Sequence, residues 1–91
     1  MELRDTIEMM TSDDYKERFK AEYYQTKIRY ERLKDFNNRI EASERTAFGN
    51  VKCFEGPKHD CPFDLLRSQQ SVMGEYLHIL EVRAVIEGIE L

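Results

Sequence analysis

Neither proline nor glycine occurs between Thr11 and Ala47. Because these two residues are the strongest helix breakers, their absence permits a single helix about 50 Å long over this stretch. Six residues of this stretch follow one another at alternating steps of three and four and so share one helix face: Tyr23, Thr26, Tyr30, Leu33, Asn37 and Ile40. The sequence therefore predicts one long helix that packs along this face.

Long apolar runs are also missing. No stretch approaches the roughly 20 apolar residues that a membrane-spanning helix needs. The first ten residues are amphipathic and carry Glu2, Asp5 and Glu8, so they do not have the pattern of a secretion signal. We expect a cytoplasmic protein that does not bind membranes.

Charge of one sign is nowhere concentrated. Lys plus Arg number 14 against 18 for Asp plus Glu, a net charge of −4, which gives no general attraction to nucleic-acid phosphates. Opposite charges instead stand four residues apart, in Asp14–Arg18, Asp35–Arg39 and Glu41–Arg45. This pattern is typical of a solvated helix face.

The boundaries of the helices follow from capping residues. Leu3, Ile7 and Met10 lie on one side of a short N-terminal helix that can pack across a neighbour. Thr11 is the predicted N-cap of the long helix, with Asp14 three residues later in a capping-box arrangement. Gly49 is expected to end this helix.

A loop follows from Asn50 to Asp60, with Gly56 and Pro57 as its turn and a locally basic character from Lys52, Lys58 and His59. The second helix is predicted to begin with Pro62 at its first position, capped by Cys61 or Asp60, and to end at Gly88, leaving the last three residues as a tail.

The second helix has two sets of apolar positions. One seam consists of Leu66, Gln70, Met73, Leu77, Leu80 and Ala84, and beside it lie Leu65, Val72, Tyr76, Ile79, Val82 and Ile86. Such a wide apolar surface indicates packing on two sides. Gly74 marks the expected crossing of another backbone. The predicted fold is all-α, a single-domain helical hairpin over residues 1–91 with a short N-terminal helix, assembled as a homo-oligomer.

The chain has few residues suited to metal binding or catalysis. Cys53, His59 and Cys61 share one loop, but structural zinc needs four ligands and His78 would have to fold back from its helix. Cys61 beside His59 lacks the further groups of a nucleophilic site. We predict no metal, no catalytic residue, no cofactor and no enzyme activity. We expect Cys53 and Cys61 to be free thiols, with a disulfide between them as the alternative.

A small nucleotide would need an aromatic face for stacking and Arg or Lys for its phosphates. Tyr23 and Lys27 supply these groups on the long helix, and Arg67 and Gln70 supply polar groups near the start of the second. We name these four as candidate ligand-binding residues that meet across an interface. Each also has the plain interpretation of a surface residue.

Three segments carry a resemblance to a known family: Tyr15-Lys16-x-Arg18-Phe19, Lys27-Ile28-Arg29-Tyr30-Glu31-x-Leu33, and Cys61-Pro62-x-x-Leu65-Leu66-x-x-Gln69-Gln70-x-x-Met73-x-x-Tyr76-Leu77-x-Ile79-Leu80-x-x-Arg83. Over roughly Asp14 to Ile89 the chain resembles small helical accessory proteins of tailed phages and prophages, including those related to crAss-like phages.

More distantly, the chain is similar to anti-CBASS sponge proteins, oligomers of helical hairpins that sequester cyclic oligonucleotide immune signals. Arg67, Gln70 and Gly74 stand where that family has a basic residue, a glutamine and a small residue. The resemblance implies a non-enzymatic anti-defence protein in the cytoplasm of the host cell. The alternatives are a helical module that binds or inhibits a host defence protein such as a nuclease, and a structural coiled-coil phage protein.

Overall fold

The computed structural model describes residues 1–47 and 55–91. A 3-10 turn, Leu3–Thr6, continues into the short helix α1 (Ile7–Met10), which is followed by α2 (Tyr15–Arg45) and α3 (Phe63–Glu87). Helices α2 and α3 pack antiparallel, and no strand occurs in the described ranges. The predicted all-α class and the long hairpin are confirmed. None of the helices in this part of the chain is long and apolar enough to cross a membrane.

Helix α2 begins three residues later than the capping pattern predicts. Asp14 is its N-cap, and its Oδ1 accepts a hydrogen bond of 3.0 Å from the backbone N–H of Lys16. Thr11 instead ends α1, where its hydroxyl donates to the Ile7 carbonyl at 3.1 Å. The prediction of Thr11 as the cap is wrong because the aspartate, extended at φ −81° and ψ 120°, bonds an otherwise unpaired N–H group of the first turn.

Two of the three predicted ion pairs form, Asp35–Arg39 and Glu41–Arg45, each at 3.2 Å. The third does not. Arg18 Nη1 donates to the Ser12 carbonyl at 2.8 Å, while Asp14 is engaged as the helix cap. The N-terminal turn of α2 therefore uses its charges to hold the preceding bend.

Helix α3 begins at Phe63, one residue after the predicted position, with Pro62 as N-cap and no side-chain cap from the two residues before it. Gly88 ends the helix in the left-handed region at φ 70°, as predicted. The last three residues lie outside the helix, as predicted, but the chain turns back: the N–H of Ile89 donates to the Ala84 carbonyl at 2.8 Å, and Ile89 is buried in the core. This reversal is the usual way in which a left-handed cap returns an apolar residue to the helix.

The hydrophobic core lies at the end of the hairpin where α2 begins and α3 ends. It consists of Phe19, Tyr23, Leu77, Leu80, Ala84 and Ile89, all at most 7% exposed, with Tyr24 and Tyr30 packed against it. Both predicted seams face each other here, and Phe19 extends the α2 seam by one turn. Gly74 lies at the predicted close approach, but its neighbour is the ring of Tyr30 rather than a backbone: a Cβ at Gly74 would be 3.3 Å from Tyr30 Cε1.

The N-terminal helix packs differently from its predicted apolar side. Ile7 and Met10 are 54% and 46% exposed, whereas Thr6 is fully buried. The Thr6 hydroxyl donates to the Leu3 carbonyl at 2.7 Å and accepts from Gln25 Nε2 at 2.9 Å. A polar contact therefore attaches this segment to α2.

The second apolar set of α3 lies on its outer face, with Tyr76 at the edge next to α2, where its hydroxyl donates to Glu22. We use the term outer face for its exposed members, Leu65, Val72, Tyr76, Ile79, Val82 and Ile86, which are 38% to 77% exposed. Within a single chain, α3 is thus packed on one of its two apolar sides.

Candidate functional site

An open groove runs between α2 and α3 at the end of the hairpin opposite the core. Its volume is about 420 Å³, and it is lined by Tyr30, Asn37, Asn38, Glu41, Phe63, Arg67, Gln70, Ser71 and Gly74. The lining therefore combines two aromatic rings with amides, a hydroxyl and one charge of each sign. This lining is richer in polar groups than that of most small-molecule sites, and it offers hydrogen bonds and charge to a polar ligand.

The structure brings two of the four predicted ligand-binding residues to this groove. Arg67 and Gln70 line it, whereas Tyr23 and Lys27 do not. The ring of Tyr23 belongs to the core and is 5% exposed, with Lys27 Nζ 5.8 Å from its centroid. The binding role of all four stays a prediction.

Arg67 projects from the second turn of α3. Its guanidinium carbon lies 5.6 Å from the centroid of the Phe63 ring, one turn earlier, and the two groups form a cation–π contact. The side chain forms no hydrogen bond or ion pair with any residue that the structure describes. Its five N–H donors are therefore left to solvent or to a ligand.

Glu41 carries the opposite charge on the α2 side of the groove. Its Oε2 lies 3.2 Å from Nε of Arg45, one turn further along α2. Both side chains are well exposed, so this pair contributes little to stability. It does offset the charge of the only carboxylate among the described lining residues.

Asn37 connects the two helices beneath the groove. Its Nδ2 donates to the Leu66 carbonyl at 3.2 Å and to Gln70 Oε1 at 2.9 Å. Asn37 is 3% exposed, and its Oδ1 has no hydrogen-bond partner among the described residues. The predicted seam asparagine is therefore part of a polar network that reaches the groove through Gln70.

A family model supplies the comparison with known proteins. The model named Sequestin matches residues 13–86, which include all of α2, all of α3 except its last residue and every described lining residue of the groove. The chain belongs to the Sequestin family. No curated protein and no solved structure matches it. The family's name suggests a protein that sequesters a ligand rather than one that transforms it.

Seven of the nine described groove residues of this Sequestin family member were not among the predicted site residues, Tyr30 and Gly74 among them. Tyr30 and Gly74 contact each other, and the missing side chain of Gly74 leaves room for the Tyr30 ring. The signal in the sequence is the spacing: Gly74 follows Arg67 by seven residues and Gln70 by four, which places all three on neighbouring positions of one helix face.

Three tyrosines bridge α2 and α3 through carboxylates. Tyr23 donates its hydroxyl proton to Glu81 Oε2 at 2.7 Å, Tyr15 donates to Glu87 Oε1 at 2.8 Å, and Tyr76 donates to Glu22. Burial first, and then the bond to Glu81, raise the pKa of Tyr23 to about 12. The bond to Glu87 is the main cause that raises the pKa of Tyr15. The hydroxyls of Tyr15 and Tyr23 therefore stay protonated at neutral pH, and the three hydrogen bonds join α2 to α3.

The loop that carries the sulfur and histidine residues is described only from residue 55 onward. The predictions for Gly49, Lys52 and Cys53 lie outside the described residues. Nδ1 of His59 is 2.6 Å from the carbonyl oxygen of Cys61. No group of three His, Cys, Asp or Glu side chains gathers as a metal site within residues 1–47 and 55–91.

Proposed function

We propose that this member of the Sequestin family is a phage-encoded anti-defence protein that sequesters a nucleotide immune signal, a cyclic oligonucleotide. The supporting observation is the guanidinium of Arg67, which pairs with no described residue and lies in a groove that also presents Gln70 and the ring of Tyr30. A planar guanidinium matches the oxygens of a phosphate, and an aromatic ring matches the face of a base. The family's name is consistent with this role.

The size of the groove and its residue types favour binding without turnover. A volume of about 420 Å³ lies within the usual range for small-molecule sites. Neither a cysteine nor a histidine is among the described lining residues. Hydrogen bonds, one cation and aromatic contacts are the interactions that the set offers, and these retain a ligand without breaking its bonds.

We also propose that the protein acts as a homo-oligomer whose copies meet at the outer face. The radius of gyration is 17.1 Å, against about 12 Å expected for a compact chain of this length. The accessible surface of 6919 Å² exceeds the roughly 5,600 Å² of a compact monomer of 91 residues. That excess is larger than the roughly 800 Å² that one partner loses in a standard interface.

A second copy would complete the ligand site. The groove is open to solvent on one side and holds a single cation among its described lining residues, whereas a cyclic oligonucleotide carries at least two phosphates. Lys27 is exposed on α2 and is the proposed second charge, contributed across the interface. Because the ring of Tyr23 is buried in its own core, Tyr30 is the better candidate for stacking.

A thermal-shift screen tests the proposal. Cyclic di-AMP, cyclic di-GMP and cyclic tri-AMP are added at saturating concentration, with AMP and GMP as controls. A ligand present at a hundred times its Kd adds about 2.7 kcal/mol to the free energy of unfolding, so one cyclic compound should raise the Tm and the monomers should not. An unchanged Tm across the whole panel would contradict the proposal.

The outer face also supports a second function, that of a helical module that binds a host defence protein. An exposed apolar surface of several large side chains is typical of protein interfaces. The two functions differ in the state of the isolated protein. A stable monomer that captures a partner through α3 would favour the protein-binding module, and an oligomer would favour the sponge.

A further inference from the structure

We infer that Asn37 is a positioning residue that orients the carboxamide of Gln70, so that the groove beside Arg67 selects a ligand group that accepts hydrogen bonds. The inference rests on the proposed ligand-binding role of the groove and specifies its chemistry. It starts from the two hydrogen bonds that Nδ2 of Asn37 donates.

The Leu66 carbonyl determines the orientation of the Asn37 amide. A backbone carbonyl can only accept, so the group 3.2 Å from it has to be the Nδ2 donor. The reversed amide would place two oxygens against each other at this point and would leave both amide protons without an acceptor inside the protein. The observed orientation leaves one unpaired atom, Oδ1.

The orientation of Asn37 in turn determines that of Gln70. The second Nδ2 proton needs an acceptor, and Gln70 supplies Oε1 at 2.9 Å. The other corner of the Gln70 amide, the Nε2 group, therefore points away from Asn37. Gln70 lines the groove, and its Nε2 donates to no residue that the structure describes. Two N–H donors of Gln70 thus stand beside the donors of Arg67.

The groove accordingly has a donor-rich wall on α3. Phosphate oxygens and base carbonyls are acceptors and match it, whereas an amino group would meet the donors of Arg67 and Gln70 and find an acceptor only in the Ser71 hydroxyl. An asparagine at this buried position of α2 lowers the stability of the fold relative to a leucine. Its buried Oδ1 has no hydrogen-bond partner among the described residues, whereas a leucine has no polar side-chain atom that needs one. If the role of Asn37 is to orient Gln70, the presence of an asparagine here and the extension of its hydrogen bonds toward the groove are both explained.

The free protein gives the first test, by NMR of the side-chain amides. Protons of Asn37 Nδ2 should exchange slowly with solvent and those of Gln70 Nε2 rapidly, because only the former are buried and bonded. In the Asn37→Leu variant the Gln70 amide should lose its fixed chemical shifts. Slow exchange at Gln70 together with fast exchange at Asn37 would overturn the inference, even if no nucleotide binds.

Affinity for the best cyclic nucleotide of the panel gives the second test. Asn37→Leu and Gln70→Leu should each weaken binding about tenfold, and the double variant should be no weaker than either one, since both remove the same positioned donor. Gln69→Leu makes the same substitution at an exposed glutamine of α3 outside the groove, and as the matched control it should keep full affinity.

The outcomes separate the inference from the proposed function. If Gln70→Leu weakens binding while Asn37→Leu does not, Asn37 does not position Gln70. If Asn37→Leu changes only the Tm, its role is structural. If the unmodified protein binds no member of the panel, the proposed function fails, and the NMR result alone decides the orientation of Gln70.

Discussion

Arg67 illustrates how a single side chain can be identified from its sequence neighbourhood and then placed by the fold. The sequence predicts its position one turn inside the second helix. The structure adds that its guanidinium contacts the Phe63 ring and that the side chain lines the groove. Because its guanidinium forms no hydrogen bond or ion pair with any described residue, Arg67 contributes little to folding. It is free to contribute to binding.

We therefore predict that Arg67→Ala weakens binding of the best cyclic nucleotide about ten- to a hundredfold, measured by calorimetry. Loss of a charge-assisted hydrogen bond to phosphate costs about 1.5–3 kcal/mol. The Tm of the free protein should change little. Arg32→Ala, an exposed arginine of α2 outside the groove, is the control and should keep full affinity. Equal affinities of the two variants would place the phosphate contact elsewhere.

Tyr23 provides a prediction of pH dependence. In the folded protein its pKa is raised to about 12, while the unfolded chain releases the proton near the ordinary value of 10.0. Between these values the unfolded state binds fewer protons, so the free energy of unfolding falls as the pH rises. Below pH 10 the stabilisation is complete. Urea unfolding at pH 8, 10 and 11 measures the effect.

The Tyr23→Phe variant is the control for this window. It lacks the hydroxyl that donates to Glu81 and should lose less stability between pH 10 and 11 than the unmodified protein does. Other tyrosines and lysines titrate in both proteins and cancel in the comparison. If the two proteins lose stability in parallel, Tyr23 is not the group responsible.

At the scale of the helices, periodicity predicts which faces of α2 and α3 meet, because burial follows the three-and-four spacing of apolar residues. Leu77, Leu80 and Ala84 are buried as that pattern requires. The starts of α2 and α3 are less predictable. Thr11 and Asp14 are both good caps by residue type, and the choice depends on the bend before α2 rather than on either residue alone.

The groove could be predicted only in part. Arg67 and Gln70 are polar and lie near the start of a helix, so the sequence alone allows them to be proposed as site residues. Tyr30 and Gly74 line the groove because they contact each other where α2 packs against α3. Tyr23 is buried because it packs in the same core as Phe19 and Leu80. These placements depend on tertiary packing, which neither composition nor spacing specifies.

The seam between α2 and α3 makes a direct prediction for stability. Leu80 is fully buried, so Leu80→Ala removes apolar contacts and leaves a cavity, at a cost of about 2–5 kcal/mol in the free energy of unfolding. Chemical denaturation followed by circular dichroism measures it. Leu91→Ala, at a residue 41% exposed, is the control. A loss below 1 kcal/mol at Leu80 would contradict the described packing.

At the scale of the whole molecule, the hairpin is long and thin, with extents of 57 × 25 × 20 Å. A single chain of this shape leaves much apolar surface in water, and half of the twelve exposed large hydrophobic side chains in the described ranges lie on the outer face of α3. The sequence predicts that surface from the second apolar set of the helix. Whether a second copy covers it is a property of the assembly, and no pattern within one chain determines it.

We predict an oligomer by light scattering at micromolar concentration, and its dissociation by Ile79→Asp. Ile79 is 54% exposed in the single chain, so an aspartate there leaves the hairpin folded but places an unpaired charge in the interface. Leu77→Asp would be a poorer test because Leu77 lies in the seam and its substitution would unfold the hairpin. Helicity by circular dichroism should be unchanged in Ile79→Asp.

Ala42→Asp is the matched control, because it introduces the same charge at an exposed position of α2 and should preserve the oligomer. A monomeric unmodified protein would contradict assembly through the outer face. So would an oligomer that Ile79→Asp leaves intact.

Sequestration itself is the central claim, and recovery of the ligand tests it most directly. The protein, in molar excess, is mixed with each cyclic nucleotide and filtered, after which the retained fraction is heat-denatured and analysed by mass spectrometry. We predict that one cyclic nucleotide disappears from the filtrate and returns with an unchanged mass after denaturation. Ligands that all pass the filter, or a ligand that returns hydrolysed, would contradict the account.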